Sequence, residues 1–243
     1  MKLLEHIKLR YRANKYKNKN DKGGIAYILS SISSGQTVLD IGCHKAGYLY
    51  FIRKKVGSTG KVFAFEPQSA LYNYVAKLKS LFDWENVTLE HLALSDAIGK
   101  ATLYIPSNKK SEATSPGATL VKNLDRTDID TTEEVGTESL DSYCVRNSIK
   151  PNFLKIDVEG NELRIFRGGI DTLKKHKPKI LVEIEARHVG REKVIETLKF
   201  LEDLSYKGYF ILGLKHIPIS SFNFEKYQNT GDMKNYCNNF IFE

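Results

Sequence analysis

The sequence predicts an α/β fold, a mainly parallel sheet with helices on both faces. Three observations carry this reading. From residue 24 onward, short apolar runs alternate with stretches of helical spacing, the rhythm of βαβ units. The first run, Thr37-Val38-Leu39, ends on Asp40-Ile41-Gly42, a glycine-cornered turn followed by Gly47. Acidic residues recur where the runs end, at Asp40, Glu66, Asp96, Asp157 and Glu183. In such sheets ligands bind beyond the carboxyl ends of the strands, so these acids are expected to share a site.

Before the rhythm begins, Lys8, Arg10, Arg12, Lys15, Lys17 and Lys19 crowd the chain, with Tyr11 and Tyr16 between them. Residues 1–24 are therefore expected to form a basic arm or helix, solvated and partly frayed. It precedes a single domain over 25–243. The arm is also the electrostatic pattern of contact with an anionic membrane surface or with nucleic acid.

Within the domain, Ile25 to Ile32 has helical spacing and Ser33-Ser34-Gly35 stops it. Val38 to Ile41 is a buried strand, Tyr48 to Val56 a helix broken at Gly57 and Gly60, and Val62 to Phe65 the second strand, ending on Glu66-Pro67. Leu71, Val75, Leu78 and Leu81 recur at helical spacing from Ala70 to Phe82. Val87 begins a third strand expected to run to about Asp96. Ala101 to Ile105 alternates like an extra strand, and residues 106–136 are an insertion rich in Ser, Thr, Asn and Asp. Structureless loops of that length are uncommon and often functional. A helix starts at Leu140, capped by Ser139 or Asp141. Phe153 to Val158 is the fourth strand, Glu162 to Lys175 a helix, Ile180 to Ile184 the fifth strand and Arg191 to Leu204 an amphipathic helix. Tyr209 to Leu212 and Asn239 to Phe242 close the chain as strands joined by a long polar loop, an expected antiparallel hairpin at one edge.

Composition narrows the function. At 243 residues and 41% hydrophobic, the chain can build one substantial core. No apolar run approaches the ~18 residues of a membrane span, and Met1-Lys2-Leu3-Leu4-Glu5-His6 lacks an h-region. Cys43, Cys144 and Cys237 are far apart without ligand spacing, which argues against disulfides and zinc and for a reducing cytoplasm.

A turn and an acid closing the next strand suit a nucleoside cofactor. Gly42 lets the backbone approach it, and Glu66 accepts hydrogen bonds from two ribose hydroxyls. The turn reads Gly42-Cys43-His44-Lys45-Ala46-Gly47, without the middle glycine of a dinucleotide site. A Walker loop fails because Tyr48-Leu49 follows Gly47. A ligand with ribose and adenine but no phosphate fits, and S-adenosylmethionine is that ligand.

The chain resembles the FkbM family of S-adenosylmethionine-dependent methyltransferases. The resemblance is carried by Val38-Leu39-Asp40-Ile41-Gly42, Phe65-Glu66-Pro67, Ala93-Leu94-Ser95-Asp96 with Gly99, and Ser139-Leu140-Asp141-Ser142. The most specific segment is Leu154-Lys155-Ile156-Asp157-Val158-Glu159-Gly160-Asn161-Glu162, followed by Gly168-Gly169, Lys177-Pro178 and Leu181-Val182-Glu183-Ile184. It implies the class I methyltransferase fold, a Rossmann-like seven-stranded sheet ordered 3-2-1-4-5-7-6 with only strand seven antiparallel. It also implies O-methylation of a sugar, glycan or other small-molecule hydroxyl, leaving S-adenosylhomocysteine.

By position, the resemblance assigns Asp40, Gly42 and Gly47 to the methionine end and the turn, and Glu66 with Pro67 to the ribose. It assigns Ala93, Leu94, Ser95 and Asp96 to the adenine border, and Asp157 to the meeting point of cofactor and acceptor. Family members commonly continue the first motif with Ala-Asn, where this chain has Cys43-His44, and both are expected on the cofactor side of the turn. Pro116-Gly117-Ala118-Thr119-Leu120 resembles a family segment inside the insertion.

An alcohol acceptor needs placement in line with the S–CH3 bond and removal of its proton. Lys155, Asp157 and Glu159 alternate, so a persistent strand puts them on one side. Glu183 ends the neighbouring strand and His188 follows it. Asp157 is expected to position the acceptor or take its proton, Glu159 and Glu183 to orient neighbours, and His188 to be an alternative base. Lys155 and Glu159 can instead form a structural ion pair, and Glu162 a first-turn carboxylate. Asp157, Glu159 and Glu183 carry oxygens suited to Mg2+, though metal dependence is not the favoured reading. Acceptor choice is expected to rest on the 106–136 insertion and on the 215–236 loop, with Tyr227 and Tyr236 available to stack on sugar rings. The competing functions are an RNA 2′-O-methyltransferase, with Lys155, Asp157, Lys179 and Glu183 imitating its lysine–acid set, and a binding domain without catalysis.

Overall fold

The computed structural model describes residues 2–106, 117–121 and 129–243. Helix α1 (Lys2–Lys15) runs into a π-helical turn, Tyr16–Asn20, and α2 (Lys22–Ser31) follows. Asp21 caps α2 by accepting the Gly24 N–H at 2.8 Å. Strand β1 (Thr37–Ile41), α3 (Leu49–Val56), β2 (Lys61–Phe65), α4 (Ser69–Leu81) and β3 (Val87–Glu90) form the first βα half. Leu71, Val75 and Leu78 are the buried stripe of α4.

Strands β4 (Ala93–Ser95), β5 (Gly99–Pro106) and β6 (Ile129–Ser139) make a separate small sheet ordered β4-β6-β5. Helix α5 (Leu140–Arg146) is capped by Ser139, whose hydroxyl accepts the Ser142 N–H at 3.1 Å. Then come β7 (Phe153–Ile156), α6 (Glu162–Arg167), α7 (Ile170–His176), β8 (Lys179–Glu183), α8 (Ala186–Val189) and α9 (Arg191–Asp203). The chain closes with β9 (Gly208–Leu212), β10 (Lys215–Pro218), the short α10 (Phe224–Tyr227) and β11 (Asn239–Phe242).

The main sheet is ordered β10-β9-β11-β8-β7-β1-β2-β3. Strands β1, β2, β3, β7 and β8 pair in parallel, while β11 runs antiparallel between β8 and β9. Apolar cores fill both faces, one around Phe65, Tyr143 and Phe166, the other around Ile25, Val38 and Leu49. Among the described residues no helix is long and apolar enough to cross a membrane.

The structure departs from the sequence expectations in five places. The sheet has eight strands rather than seven, because β10 pairs antiparallel with the outer edge of β9. The edge hairpin is therefore β9–β10, and β11 lies inside the sheet. The third strand stops at Glu90; after His91 and Leu92, Ala93 pairs with Thr137 of β6 instead. Part of the polar insertion is the long strand β6, a solvated ribbon against β5 whose Thr and Glu residues hide the alternation. The expected single helix from Glu162 to Lys175 breaks at Gly168-Gly169, where a Cβ on Gly168 would lie 2.2 Å from the Ser95 carbonyl oxygen. Finally, α1 is a packed helix rather than a frayed arm. Leu9 and Ala13 are buried, and Arg12 donates to the Lys45 carbonyl at 2.8 Å and the Tyr74 hydroxyl at 3.1 Å.

Candidate active site

A cavity of about 320 Å³ opens at the carboxyl ends of β1, β2 and β7. Its floor is the turn after β1. The N–H groups of Gly42 and Cys43 both donate to the Phe65 carbonyl at 3.0 Å, folding the turn over the end of β2. Gly42 has φ +79, and a Cβ there would sit 1.9 Å from the Asp157 carbonyl oxygen, so only glycine lets β1 and β7 end this close together.

His44 also has positive φ, at +48. Asn and His are among the non-glycine residues that tolerate this conformation, which accounts for the histidine at this position. Its imidazole lines the cavity, with Nε2 buried and without a hydrogen-bond partner. Burial, with Lys45 nearby, pushes its pKa down to about 4, so the ring is neutral. Cys43 is buried and lies outside the cavity wall, its thiol pKa pushed up by burial and by Glu66. Gly47 also lies behind the wall, packed on the Tyr16 ring.

Glu66 closes β2 and lines the cavity. Its Oε2 accepts the His44 N–H at 2.8 Å and its Oε1 the Gln68 N–H at 3.0 Å. Burial raises its pKa to about 7, although both N–H groups pull it down. Pro67, Ala93 and Leu94 line the same space, joined by Gln68, Leu71, Leu92 and Leu103. Ser95 and Asp96 do not: the Ser95 hydroxyl donates to Asp96, which faces Arg164 at 3.8 Å. The small sheet turns both away.

Asp40 is fully buried beneath the turn, not in the wall. Burial lifts its pKa to about 6, against the pull of Lys155. Lys155 is likewise buried, with Nζ 3.6 Å from Asp40 and 3.4 Å from Asp157. Burial alone would lower its pKa, but Asp157, Asp40 and Glu183 raise it above the usual lysine range. Lys155 thus acts under the site as a tether and does not reach the cavity.

Asp157, Glu159 and Glu183 line the cavity, whereas His188 does not. Strand β7 stops at Ile156 and Glu159 has φ +54, so the expected one-sided row of Lys155, Asp157 and Glu159 breaks. Glu159 turns to His188, whose Nε2 lies 2.7 Å from its Oε2. Lys155 and Glu159 therefore do not pair with each other; each has its own partner. Glu183 is held by Asn238, which donates to it at 2.6 Å and to Glu185 at 3.1 Å. Burial, Asp157 and Glu185 push the Glu183 pKa well above its ordinary value. Burial works against Glu185, but hydrogen bonds from Glu183, Tyr236, Asn238 and Arg187 hold its pKa low. Glu162 is buried, accepting the Gly160 N–H at 2.8 Å at the start of α6. Among the described residues no group of His, Cys, Asp and Glu is placed to hold a metal ion.

Several wall residues carry no sequence motif. Tyr16, Asn20 and Asp21 come from the π-helical turn and its end, and the Tyr48 hydroxyl donates to Asp21. Ala118, Thr119 and Leu120 of the insertion also line the cavity. Thr119 is pinned there: it exchanges backbone hydrogen bonds with Tyr104 at 2.8 and 3.0 Å, and its hydroxyl donates to the Glu159 carbonyl at 2.7 Å. Pro116 and most of the insertion lie outside the described residues. Tyr227 is buried against Phe210 and Phe222, so it cannot stack on a sugar, and Tyr236 donates its hydroxyl to Glu185. Lys179 pairs with Glu243 at 2.8 Å at the opposite end of β8 from Glu183, away from the cavity.

Residues 40–209 match the family described as the methyltransferase FkbM domain. Among solved structures the chain is similar to methyltransferase FkbM from Methylobacillus flagellatus, at 11% identity and TM-score 0.56, over 96% of this chain and 53% of that one. It thus spans about half the length of that protein. It is also similar to a SAM-dependent O-methyltransferase from Thermotoga maritima, at 15% identity and TM-score 0.46, over 95% of this chain and 69% of that one. Fibrillarin from Aeropyrum pernix, solved with natively bound S-adenosyl-L-methionine, gives 9% identity and TM-score 0.48, over 87% and 67%. No curated protein sequence matches. The fold is the class I methyltransferase fold, with one strand added at the sheet edge.

Proposed function

The chain belongs to the FkbM methyltransferase family, and from that premise we propose that it uses S-adenosylmethionine to methylate a hydroxyl of a sugar, glycan or other small molecule. The observation that carries this reading is Glu66. It ends β2 with its carboxylate in the cavity wall, held by two backbone N–H groups, one of them from the Gly42 turn's own His44. A carboxylate so held keeps lone pairs for a pair of ribose hydroxyls. The unpartnered His44 Nε2 and the glycine-only floor are further signs of a site built around a ligand.

S-adenosylmethionine supplies an electrophilic methyl group and leaves as S-adenosylhomocysteine. Asp157, at the end of β7 and partly open to solvent, holds the acceptor hydroxyl and takes its proton as the C–O bond forms. Lys155 fixes Asp157 from below. Glu159 lines the same wall, with His188 behind it at 2.7 Å. Glu183, anchored by the Asn238 amide, lines the same wall. Thr119 and its neighbours, pinned on Glu159, shape the acceptor side. Buried free thiols at Cys43, Cys144 and Cys237 suit a reducing compartment such as the cytoplasm.

A screen with methyl-labelled S-adenosylmethionine over sugars, glycans, lipids and RNA, with and without chelator, tests the reading. Label is expected in a sugar or glycan hydroxyl, unchanged by chelator. Label appearing in RNA alone would replace the acceptor assignment.

A further inference from the structure

Helix α1 has two apolar faces, and the domain covers one of them. Leu9 and Ala13 are buried against the domain. On the opposite side Leu3, Leu4, Ile7 and Tyr11 are between 55% and 74% exposed. At 3.6 residues per turn these four fall within an arc of about 100°. Arg10 flanks this arc on one side and Lys8 and Lys15 on the other, all exposed. Glu5 is the helix's acid, and it faces Lys8 at 3.5 Å.

We propose that this face of α1 docks on an anionic lipid surface. Aliphatic and aromatic side chains in a stripe with cations along both margins match the boundary between headgroups and acyl chains. Charge complementarity selects this occupant. A second copy of the chain would bring the Arg10, Lys8 and Lys15 margins of both copies together, on a protein already carrying a net charge of +8. Nucleic acid would engage the cations but leave Leu3, Leu4 and Ile7 without a partner. The helix is anchored to the domain at its other face. Arg12 ties it to Lys45 and Tyr74, and it continues into the turn whose Tyr16 and Asn20 line the cavity.

The test is cosedimentation of the full chain with phosphatidylglycerol–phosphatidylcholine vesicles, against vesicles of phosphatidylcholine alone. The wild-type chain is expected to pellet with the anionic vesicles at low salt and less with the neutral ones. Leu3→Ser/Leu4→Ser/Ile7→Ser should weaken binding by at least about tenfold. Lys8→Gln/Arg10→Gln/Lys15→Gln should weaken it by about a hundredfold, from about fivefold per cation. Thermal melts of both variants should match the wild type, since the changed side chains are exposed. Absence of wild-type binding to anionic vesicles at low salt overturns the proposal. So does unchanged binding of the Leu/Ile variant, or a concentration-dependent dimer that the same variant dissolves. The readout involves no methyl transfer, so it stands apart from the identity of the acceptor.

Discussion

Lys155 donates from Nζ to the carbonyl oxygen of Gly42 at 2.9 Å, so one buried ammonium joins the turn after β1 to strand β7. The same atom lies 3.6 Å from Asp40 and 3.4 Å from Asp157. The glycine turn and the Lys-Ile-Asp stretch, separate in sequence, are thus one electrostatic unit beneath the cavity.

Removing that ammonium should expose its value. Lys155→Met leaves Asp40 buried without a counter-charge, and breaking a buried pair on one side typically costs about 3–5 kcal/mol. Urea unfolding should show a loss of that size. A loss under about 1 kcal/mol would mean that the pair contributes little.

Gly42→Ala is expected to cost more than its single methyl suggests. The new Cβ meets the Asp157 carbonyl at 1.9 Å, and φ +79 is unfavourable for alanine by about 1–2 kcal/mol before any clash. The turn must shift, so cofactor affinity should fall together with stability. Calorimetry showing wild-type affinity in this variant would separate the turn from the binding site.

Cofactor affinity should depend on pH through Glu66. Its pKa of about 7 in the free protein means that it is mostly protonated at pH 6 and mostly ionised at pH 8. Ribose hydroxyls favour the ionised form, so binding tightens as pH rises through 7 and weakens as it falls. An affinity independent of pH between 6 and 8 would remove Glu66 from ribose recognition.

Much of this was legible in the chain. Of the five acids closing the apolar runs, Glu66, Asp157 and Glu183 line one cavity, because strand ends in a parallel sheet share one edge, whereas Asp40 lies beneath it and Asp96 faces away. Position-specific resemblance went too far at Ser95 and Asp96, since β4 leaves the main sheet and turns both outward. It could not supply Tyr16, Asn20 or Asp21, which are local sequence neighbours of a basic helix and reach the cavity only through tertiary packing. Thr119 falls in a segment that resembles the family, but its pinning to Glu159 depends on a bridge to Tyr104 that no periodicity announces. The helix break at Gly168-Gly169 has a local signal in the glycine pair, and packing against Ser95 and Leu140 fixes it there.

Asp157→Asn keeps the shape of the side chain and removes its basicity. Turnover should drop by about 10²–10⁴-fold, the usual contribution of a positioned acid or base, while cofactor affinity stays largely intact. His188→Asn should reduce turnover less, because His188 is set behind Glu159 rather than in the cavity wall. Equal losses in both variants would make His188 the base.

Glu66 is expected to hold the nucleoside of S-adenosylmethionine in this cavity. Titration calorimetry of S-adenosylhomocysteine into the wild-type chain and Glu66→Gln at pH 8 decides whether it does. The wild type should bind, and the variant should lose about tenfold or more, the worth of hydrogen bonds to an ionised acceptor. Absence of wild-type binding, or equal affinity in the two proteins, would contradict it.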